Sequence, residues 1–273
     1  MAWAAPVPAK PLPETGMTYY ASTVSLPRRA ALGGRLDVDT CVVGGGLAGL
    51  NVVLGLLERG HRDVALLEAK GVGEGASGRN GGFVFGGYSL GEQALIDAVG
   101  LAAAQRLYAG TRSAVALVRE RTARYRIDCE REDAGVLWVN WFRDPAGVLR
   151  RQALLREAFG VDWEWISRDA LAERLLTPRY HGALLEREAF HFNPLRYVAG
   201  LADACARLGA KVHEGSPATA LHADQGGWRI STPEGEVRAR RVVLACGGYL
   251  AGLRRAVDAA VMPIATYVMA TEP

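Results

Sequence analysis

No apolar run in this sequence approaches the ~18 residues that a membrane-crossing helix needs, so a helical anchor is not expected. A basic block is also lacking. Lys and Arg total 32 against 29 Asp and Glu, a net charge of +3, and the arginines are scattered without interleaved aromatics. Nucleic acid and membrane are therefore not expected partners. The opening stretch, Met1 to Gly16, is rich in Ala and Pro and has no basic segment leading into an apolar one. It does not read as a secretion signal, is expected to be a loose tail, and leaves a cytoplasmic protein as the expectation.

Cysteine is scarce. The four present, Cys41, Cys129, Cys205 and Cys246, show no CxxC spacing, and they read as free buried thiols rather than disulfides, metal ligands or nucleophiles. His181, His191 and His213 are spread over strand-like segments without ligand spacing, so no metal site is expected. Trp138, Trp141, Trp163 and Trp165 stand at strand spacing, where aromatic side chains fill cores more often than they wall pockets. Tyr88, just past a glycine-rich stretch, is the better pocket candidate.

Glycine is what the sequence does have. Its 33 glycines cluster at 44–49, 71–91 and 247–252 instead of repeating, which points to special loops. A chain of 273 residues, 49% hydrophobic, can bury a large core, and its length fits two lobes. Val38 to Val43 is a short apolar run ending in glycine, Leu47 to Arg59 is apolar nearly all round until Gly60, and Val64 to Glu68 is a second strand. These three elements predict a βαβ unit. Farther on, Leu101 to Tyr125 has a long helical pattern with an expected break near Gly110, and Gly135 to Trp141 reads as a strand. Pro145 to Phe159 and Asp169 to Leu176 read as helices, with Trp163 and Trp165 between them. The middle of the chain thus looks like a separate α+β lobe. Asn193 to Leu208 opens with Asn-Pro and stops at Gly209, as a helix should. Lys211 to His213, Ala218 to Ala223, Gly227 to Thr232 and Val237 to Ala239 read as a meander, and Arg241 to Ala245 as a strand returning to the first sheet.

Gly44, Gly46 and Gly49 stand in GxGxxG spacing between the first strand and its helix. The spacing serves a tight turn, close approach of a pyrophosphate to the backbone, and packing of helix on strand, with the helix N-terminus favouring the phosphates. Glu68 ends the second strand about 20 residues later, where a carboxylate accepts the ribose hydroxyls of an adenosine and disfavours a 2′-phosphate. Gly75-Ala-Ser-Gly-Arg-Asn-Gly-Gly82 then offers free amides, one hydroxyl and one fixed cation on a permissive backbone.

The combination of Val43-Gly-Gly-Gly-Leu-Ala-Gly49, Leu66-Leu-Glu-Ala69 and GASGRNGG resembles the D-amino-acid-oxidase-like family of FAD-dependent oxidoreductases, most of all its gamma-glutamylputrescine oxidoreductase branch. Tyr19-Tyr20 resembles that branch too, and weaker agreement runs through Asn193-Pro194, the meander and Val242-Val-Leu-Ala-Cys-Gly-Gly-Tyr249. The resemblance implies an α/β fold: a glutathione-reductase-like, FAD-binding Rossmann domain with a β-meander, carrying an inserted α+β substrate lobe. It divides the chain into an extension (1–36), a first flavin-domain segment (37–90), a partial substrate domain (91–190) and a second flavin-domain segment (191–273). It implies FAD as cofactor, contacted by Gly44, Gly46, Leu47, Ala48, Gly49, Glu68, Ala69, Lys70, Ser77, Gly78, Arg79, Asn80, Gly81 and Gly82, with Ala218 at the adenine. Cys246 and Gly247 fall on the family's Ala-Thr-Gly motif beside the cofactor, with Cys246 in the place of Thr. The implied reaction is oxidation of the C–N bond of a small amine or amino acid, by hydride transfer to flavin N5. No catalytic residue is assigned.

Relatives in this family continue past Glu272-Pro273, so the substrate lobe is expected to be incomplete and the chain to be truncated. Met262 to Ala270 reads as a strand without a visible partner. Two readings follow: part of a full amine oxidoreductase, or an inactive flavin-binding remnant that needs a missing C-terminal part. A third, an NAD-dependent dehydrogenase on the same βαβ unit, leaves GASGRNGG without a role.

Overall fold

The chain's course sets where its glycine loops fall. In the computed structural model, which describes residues 18–269, the first segment runs through helix α1 (Tyr19–Thr23), strand β1 (Gly34–Val43), helix α2 (Leu47–Glu58) and strand β2 (Val64–Leu67). Met1 to Gly16, expected to be a loose tail, lies outside the described residues. The middle of the chain forms β3 (Phe83–Val84), α3 (Glu92–Val99), α4 (Leu101–Arg124), β4 (Val136–Val139), α5 (Ala146–Phe159), β5 (Glu164–Ile166), α6 (Arg168–Ala172), β6 (Ala183–Glu186) and β7 (Phe190–His191). The last segment contains α7 (Pro194–Arg207), β8 (Lys211–His213), β9 (Ala220–Asp224), β10 (Gly227–Ser231), β11 (Gly235–Leu244) and α8 (Arg255–Asp258). The described residues up to Gly81 and from Pro194 onward make one compact unit, and Gly82–Asn193 makes a second.

The first unit is a six-stranded sheet in the order β8-β2-β1-β11-β10-β9. Its first four strands run parallel and its last two return antiparallel, so a Rossmann-like α/β core passes into a hairpin within one sheet. Parallel strands covered on both faces read as unbroken apolar runs. That is why Cys41, Val42 and Val43 of β1 and all four residues of β2 are buried. Helices α2 and α7 pack on one another over the sheet. Leu50, Val53 and Leu54 of α2 and Val198, Leu201 and Cys205 of α7 are fully buried.

The expected meander differs in two ways. Lys211 to His213 is an edge strand, β8, parallel to β2, and takes no part in the hairpin. Val237 to Ala239 and Arg241 to Ala245, read as two strands, fall on the single strand β11, which ends at Leu244 and pairs antiparallel with β10 and parallel with β1. Charged Arg238, Arg240 and Arg241 mask that continuity in the sequence, and they pair with Asp224, Glu236 and Asp39. The strand expected from Met262 is absent: residues 261–269 are exposed and unpaired in any ladder, and Ala270 lies outside the described residues. A strand is stable only where its backbone groups find partners.

In the second unit a three-stranded antiparallel sheet, β4-β6-β5, is covered on both faces. Trp138 and Leu184 face Tyr108, Leu155, Val161 and Trp163, while Leu137 and Leu185 face Ile166 and Leu171. Trp163 is therefore core, and Trp138 and Trp165 are half-buried, whereas Trp141 is 53% exposed. The region holding Trp163 and Trp165 is not a mere connector, because it supplies β5. Nor does Gly110 break α4. An internal glycine costs about 1 kcal/mol, less than the burial of Ala104, Tyr108 and Val115 on the same helix contributes. Among the described residues no helix is long and apolar enough to cross a membrane.

Glycine matters most where α2 leaves β1. A Cβ on Gly49 would stand 1.9 Å from the carbonyl oxygen of Gly44, so any side chain there pushes the helix off the strand. Gly49→Ala is expected to lower stability by about 3 kcal/mol. Gly110→Ala, where nothing lies within 4 Å of the added methyl, should raise it by ~0.5–1 kcal/mol. Urea unfolding followed by circular dichroism measures both, and a neutral Gly49→Ala would refute the close approach.

Candidate functional site

The ends of β2, β1 and β11 lie level, and the predicted binding residues of the first unit collect on that edge. The amide of Gly44 donates to Leu67 O at 2.8 Å, and that of Ala245 donates to Val43 O at 2.8 Å. Gly44 has φ +113°, and a Cβ on it would meet Ala245 O at 2.6 Å. Both facts demand glycine. The turn continues through Gly45, buried, and Gly46, where a Cβ would meet Ser77 Oγ at 2.7 Å. Leu47 and Ala48 open α2, whose first-turn amides have no carbonyl partners within the helix.

Glu68 is fixed from four sides. Its own amide donates to His213 O and its carbonyl accepts from Ser216, each at 2.8 Å. The carboxylate accepts the Gly45 amide on Oε2 at 2.6 Å and the Lys70 amide on Oε1 at 2.9 Å. A carboxylate has about four lone-pair sites, so capacity for two more donors remains. Ala69 is exposed beside it. The Lys70 side chain turns away to Glu74 at 3.4 Å, leaving its backbone as the part of Lys70 that serves this edge.

The glycine-rich loop is brought onto the same turn. Ser77 lies in a short 3-10 turn, Ala76–Gly78, and its hydroxyl accepts the Leu47 amide at 2.9 Å. Asn80 Nδ2 donates to Ser77 O at 2.9 Å and Ala76 O at 3.2 Å, closing the loop on itself. Gly78 is buried, with Gly73 O only 2.2 Å from where its Cβ would be, and Leu195 of α7 supports it from below. Arg79, half-buried, follows directly, and Gly81 is exposed. Gly82 belongs to the second unit, where its carbonyl accepts from Phe192 at 3.0 Å.

Ala218 is half-buried two residues after Ser216 and so lies past Glu68 on the adjoining segment. Cys246 lies on the other side, its Sγ 3.4 Å from Val43 O. Burial pushes its thiol above the ordinary range, and the nearby Glu68 carboxylate adds to that, so the thiol stays protonated at neutral pH. Gly247 has φ +55° with open space around it. Burial pushes the thiols of Cys41 and Cys129 up to about 12 and about 11. Among the described residues no group of three or more His, Cys, Asp or Glu could hold a metal ion.

Two contributors carry no sequence signal. Buried Glu214 accepts the amides of Arg29 at 2.5 Å and Val72 at 2.7 Å, joining the segment before β1 to the one just after Lys70, yet in sequence it is one more acid after a short strand. The Tyr249 ring lies 3.3 Å from where a Cβ on Gly75 would be, and so covers the start of the glycine-rich loop.

The described edge fits the adenosine and pyrophosphate part of a dinucleotide. It has a cradle that side chains would fill, a helix N-terminus whose first-turn amides have no carbonyl partners within the helix, and a fixed carboxylate with unused acceptor capacity. The family model for DAO, the FAD dependent oxidoreductases, matches residues 39–273. The chain is 33% identical over 260 residues to gamma-glutamylputrescine oxidoreductase of Escherichia coli (strain K12), covering 94% of this chain and 60% of that protein. It is 30% identical to the probable oxidoreductase OrdL of Haemophilus influenzae, covering 86% of this chain and 56% of that one. Among solved structures, glycine oxidase from Geobacillus kaustophilus superposes with a TM-score of 0.62 at 27% identity, over 81% of this chain and 58% of that one. An L-amino acid deaminase from Proteus vulgaris gives a TM-score of 0.67 at 22% identity, over 89% and 61%, which speaks for the fold alone. The chain thus spans about 60% of the length of the relatives it matches. The cofactor of this family is FAD, which decides against the NAD alternative, and the chain belongs to the DAO family of FAD-dependent oxidoreductases.

Proposed function

We propose that the edge formed by β2, β1 and β11 holds FAD, and that the protein takes part in oxidising the C–N bond of a small amine or amino acid. The observation that carries the reading is the Glu68 carboxylate, held by the Gly45 and Lys70 amides directly beside the turn that leads into α2. Gly46, Ala48 and Gly49 would turn backbone amides to the pyrophosphate, where the dipole of a 12-residue helix favours negative charge, while Gly44 and Leu47, whose own amides bond to Leu67 O and Ser77 Oγ, would shape the turn around it. Glu68 would accept the ribose hydroxyls, and Ala69, Lys70 and Ala218 would line the adenosine through backbone and small side chains. Ser77, Gly78, Arg79, Asn80, Gly81 and Gly82 would follow the cofactor toward its ring, with Arg79 supplying positive charge. Cys246 and Gly247 would border the other side. The Gly82–Asn193 unit, inserted between the two segments of the first, would serve substrate recognition.

When bound, FAD would supply the two-electron oxidant, its N5 being the proposed acceptor of hydride from the carbon that bears the amine, with water then hydrolysing the oxidised substrate. The chain's own residues fix the cofactor and shape its surroundings, and no side chain is assigned as an acid or base. Both the gamma-glutamylputrescine oxidoreductase and glycine oxidase names support an amine or amino-acid substrate.

Purified 273-residue chain expressed with added FAD is expected to carry the absorption of an oxidised flavin after gel filtration. Glu68→Gln should weaken retention roughly 10- to 100-fold, the effect of losing charge-assisted hydrogen bonds, as read by flavin fluorescence on titration. Unchanged affinity would remove Glu68 from the site. The neutral amine is the form that releases hydride, so single-turnover flavin bleaching should accelerate between about pH 6 and 9 as an alkylamine with an ordinary pKa near 10 loses its proton. A flat profile would exclude hydride loss from the neutral amine. Because the chain spans 60% of its E. coli relative, retention and turnover are separate readouts. Flavin retained without bleaching by any amine would limit the chain to cofactor binding.

A further inference from the structure

The second unit contains a buried carboxylate that the proposed chemistry leaves unused. Glu186 ends β6 on the face turned toward the helices and is 6% exposed. Its Oε2 accepts Trp138 Nε1 at 2.9 Å, and its Oε1 accepts the Gly86 amide at 3.2 Å. Next to Gly86, the Gly87 amide donates to Thr111 Oγ1 at 2.8 Å, and the Tyr88 hydroxyl reaches Leu107 O at 3.4 Å. Phe85 stands edge-on to Trp138 at 5.1 Å. The backbone is thus held at Gly86 and Gly87, and the flanking rings of Phe85 and Tyr88 are held by Trp138 and Leu107 O while remaining 43% and 48% exposed. Packing accounts for the covered half of each ring, and the exposed half of a ring held in one arrangement can bind the carbon body and cationic head of a small amine.

We propose that Glu186 is a positioning residue, holding the Phe85–Tyr88 segment so that its two rings form a shelf for a small organic amine. The amine class rests on the function proposed above; the clamp itself does not. Burial pushes the Glu186 carboxyl above the ordinary glutamate range, against the pull of the Trp138 and Gly86 donors. Tyr108 and Arg112 of α4, Arg151 of α5, Glu92 of α3 and Glu188 beyond β6 are the titratable and charged groups around it. Arg151 is engaged by Glu92 in a two-pronged pair at 2.7 and 3.0 Å, and Arg112 by Glu188 at 2.7 and 3.0 Å, so neither cation neutralises Glu186 directly. The two donors favour the ionised form, but burial outweighs them, so the clamp loosens as pH rises and Glu186 ionises. The folded state binds the proton more tightly than the unfolded one. The stability this group contributes is therefore complete below the ordinary glutamate value and is lost as pH rises through the folded one.

The test is hydrogen exchange of the 83–90 peptide in the full chain, with tryptophan emission against pH, for wild type, Glu186→Gln and Trp138→Phe. Gln keeps the shape but loses the charge and one acceptor. Exchange of 83–90 should rise roughly tenfold in E186Q, the effect of one charge-assisted hydrogen bond, while peptides of β1 and α2 stay unchanged. Wild-type emission should titrate at a pH above the ordinary glutamate range, and that titration should vanish in both variants. Benzylamine, used as the probe, should slow exchange of 83–90 in wild type and leave Phe85→Ala unaffected. Unaltered exchange in folded E186Q would overturn the clamp, and no protection by benzylamine would overturn the shelf. If E186Q does not fold, W138F takes its place, with raised exchange supporting the clamp and unchanged exchange refuting it. None of these readouts needs flavin, so a colourless wild type would count against the cofactor reading alone.

Discussion

Everything in the first unit depends on how closely α2 approaches the end of β1. Gly49 meets the carbonyl of Gly44 at a distance that leaves no room for a methyl group, and Gly44 in turn meets the carbonyl of Ala245. Two glycines therefore hold the helix, the central strand and the returning strand in contact at one point. The free amides of the helix, the Glu68 carboxylate and the Cys246 segment all converge there as a result. A bulkier turn would separate them by the width of a side chain, and a phosphate would no longer meet several donors at once.

The same point is supported from outside the motif. Ser77 reaches across from the glycine-rich loop to the Leu47 amide, and that loop rests through Gly73 and Gly78 on Leu195 and Val198 of α7. Residues more than a hundred positions apart in sequence thus stabilise one cradle. Glu214 does the same for the stretch around Lys70. Ligand sites in α/β sheets fall outside the carboxyl ends of parallel strands, where the helices that follow begin and present their unpaired amides.

Much of this was legible in the sequence, for reasons that differ by residue. The βαβ unit could be read because a strand buried on both faces must be apolar throughout and a phosphate turn must be glycine. The Gly44-to-Gly49 turn follows from that rule, Glu68 from its spacing after the turn, and the role of Ser77 from family resemblance; the structure joins them through the Gly45–Glu68 and Leu47–Ser77 hydrogen bonds. What escaped depends on long-range partners. The unity of β11 was hidden by arginines that find acids on neighbouring strands, and β5 by its shortness. Gly110 looked like a breaker because local propensity cannot see what the rest of its helix buries. Glu186 and Glu214 look like surface acids until the fold supplies amides to surround them.

The strand β11 is bounded by an antiparallel neighbour along Glu236 to Ala239 and a parallel one from Gly235 to Leu244. Its alignment is consequently fixed twice over, by a hairpin whose loop joins Thr232 to Gly235 through three hydrogen bonds and by the central strand. A one-residue slip would reverse the faces of all ten residues and break both ladders together. Length variation among homologous chains should consequently be excluded from β11 and accumulate at the Gln225-Gly226 tip, where the neighbouring β9–β10 hairpin has a solvent-exposed turn to absorb it.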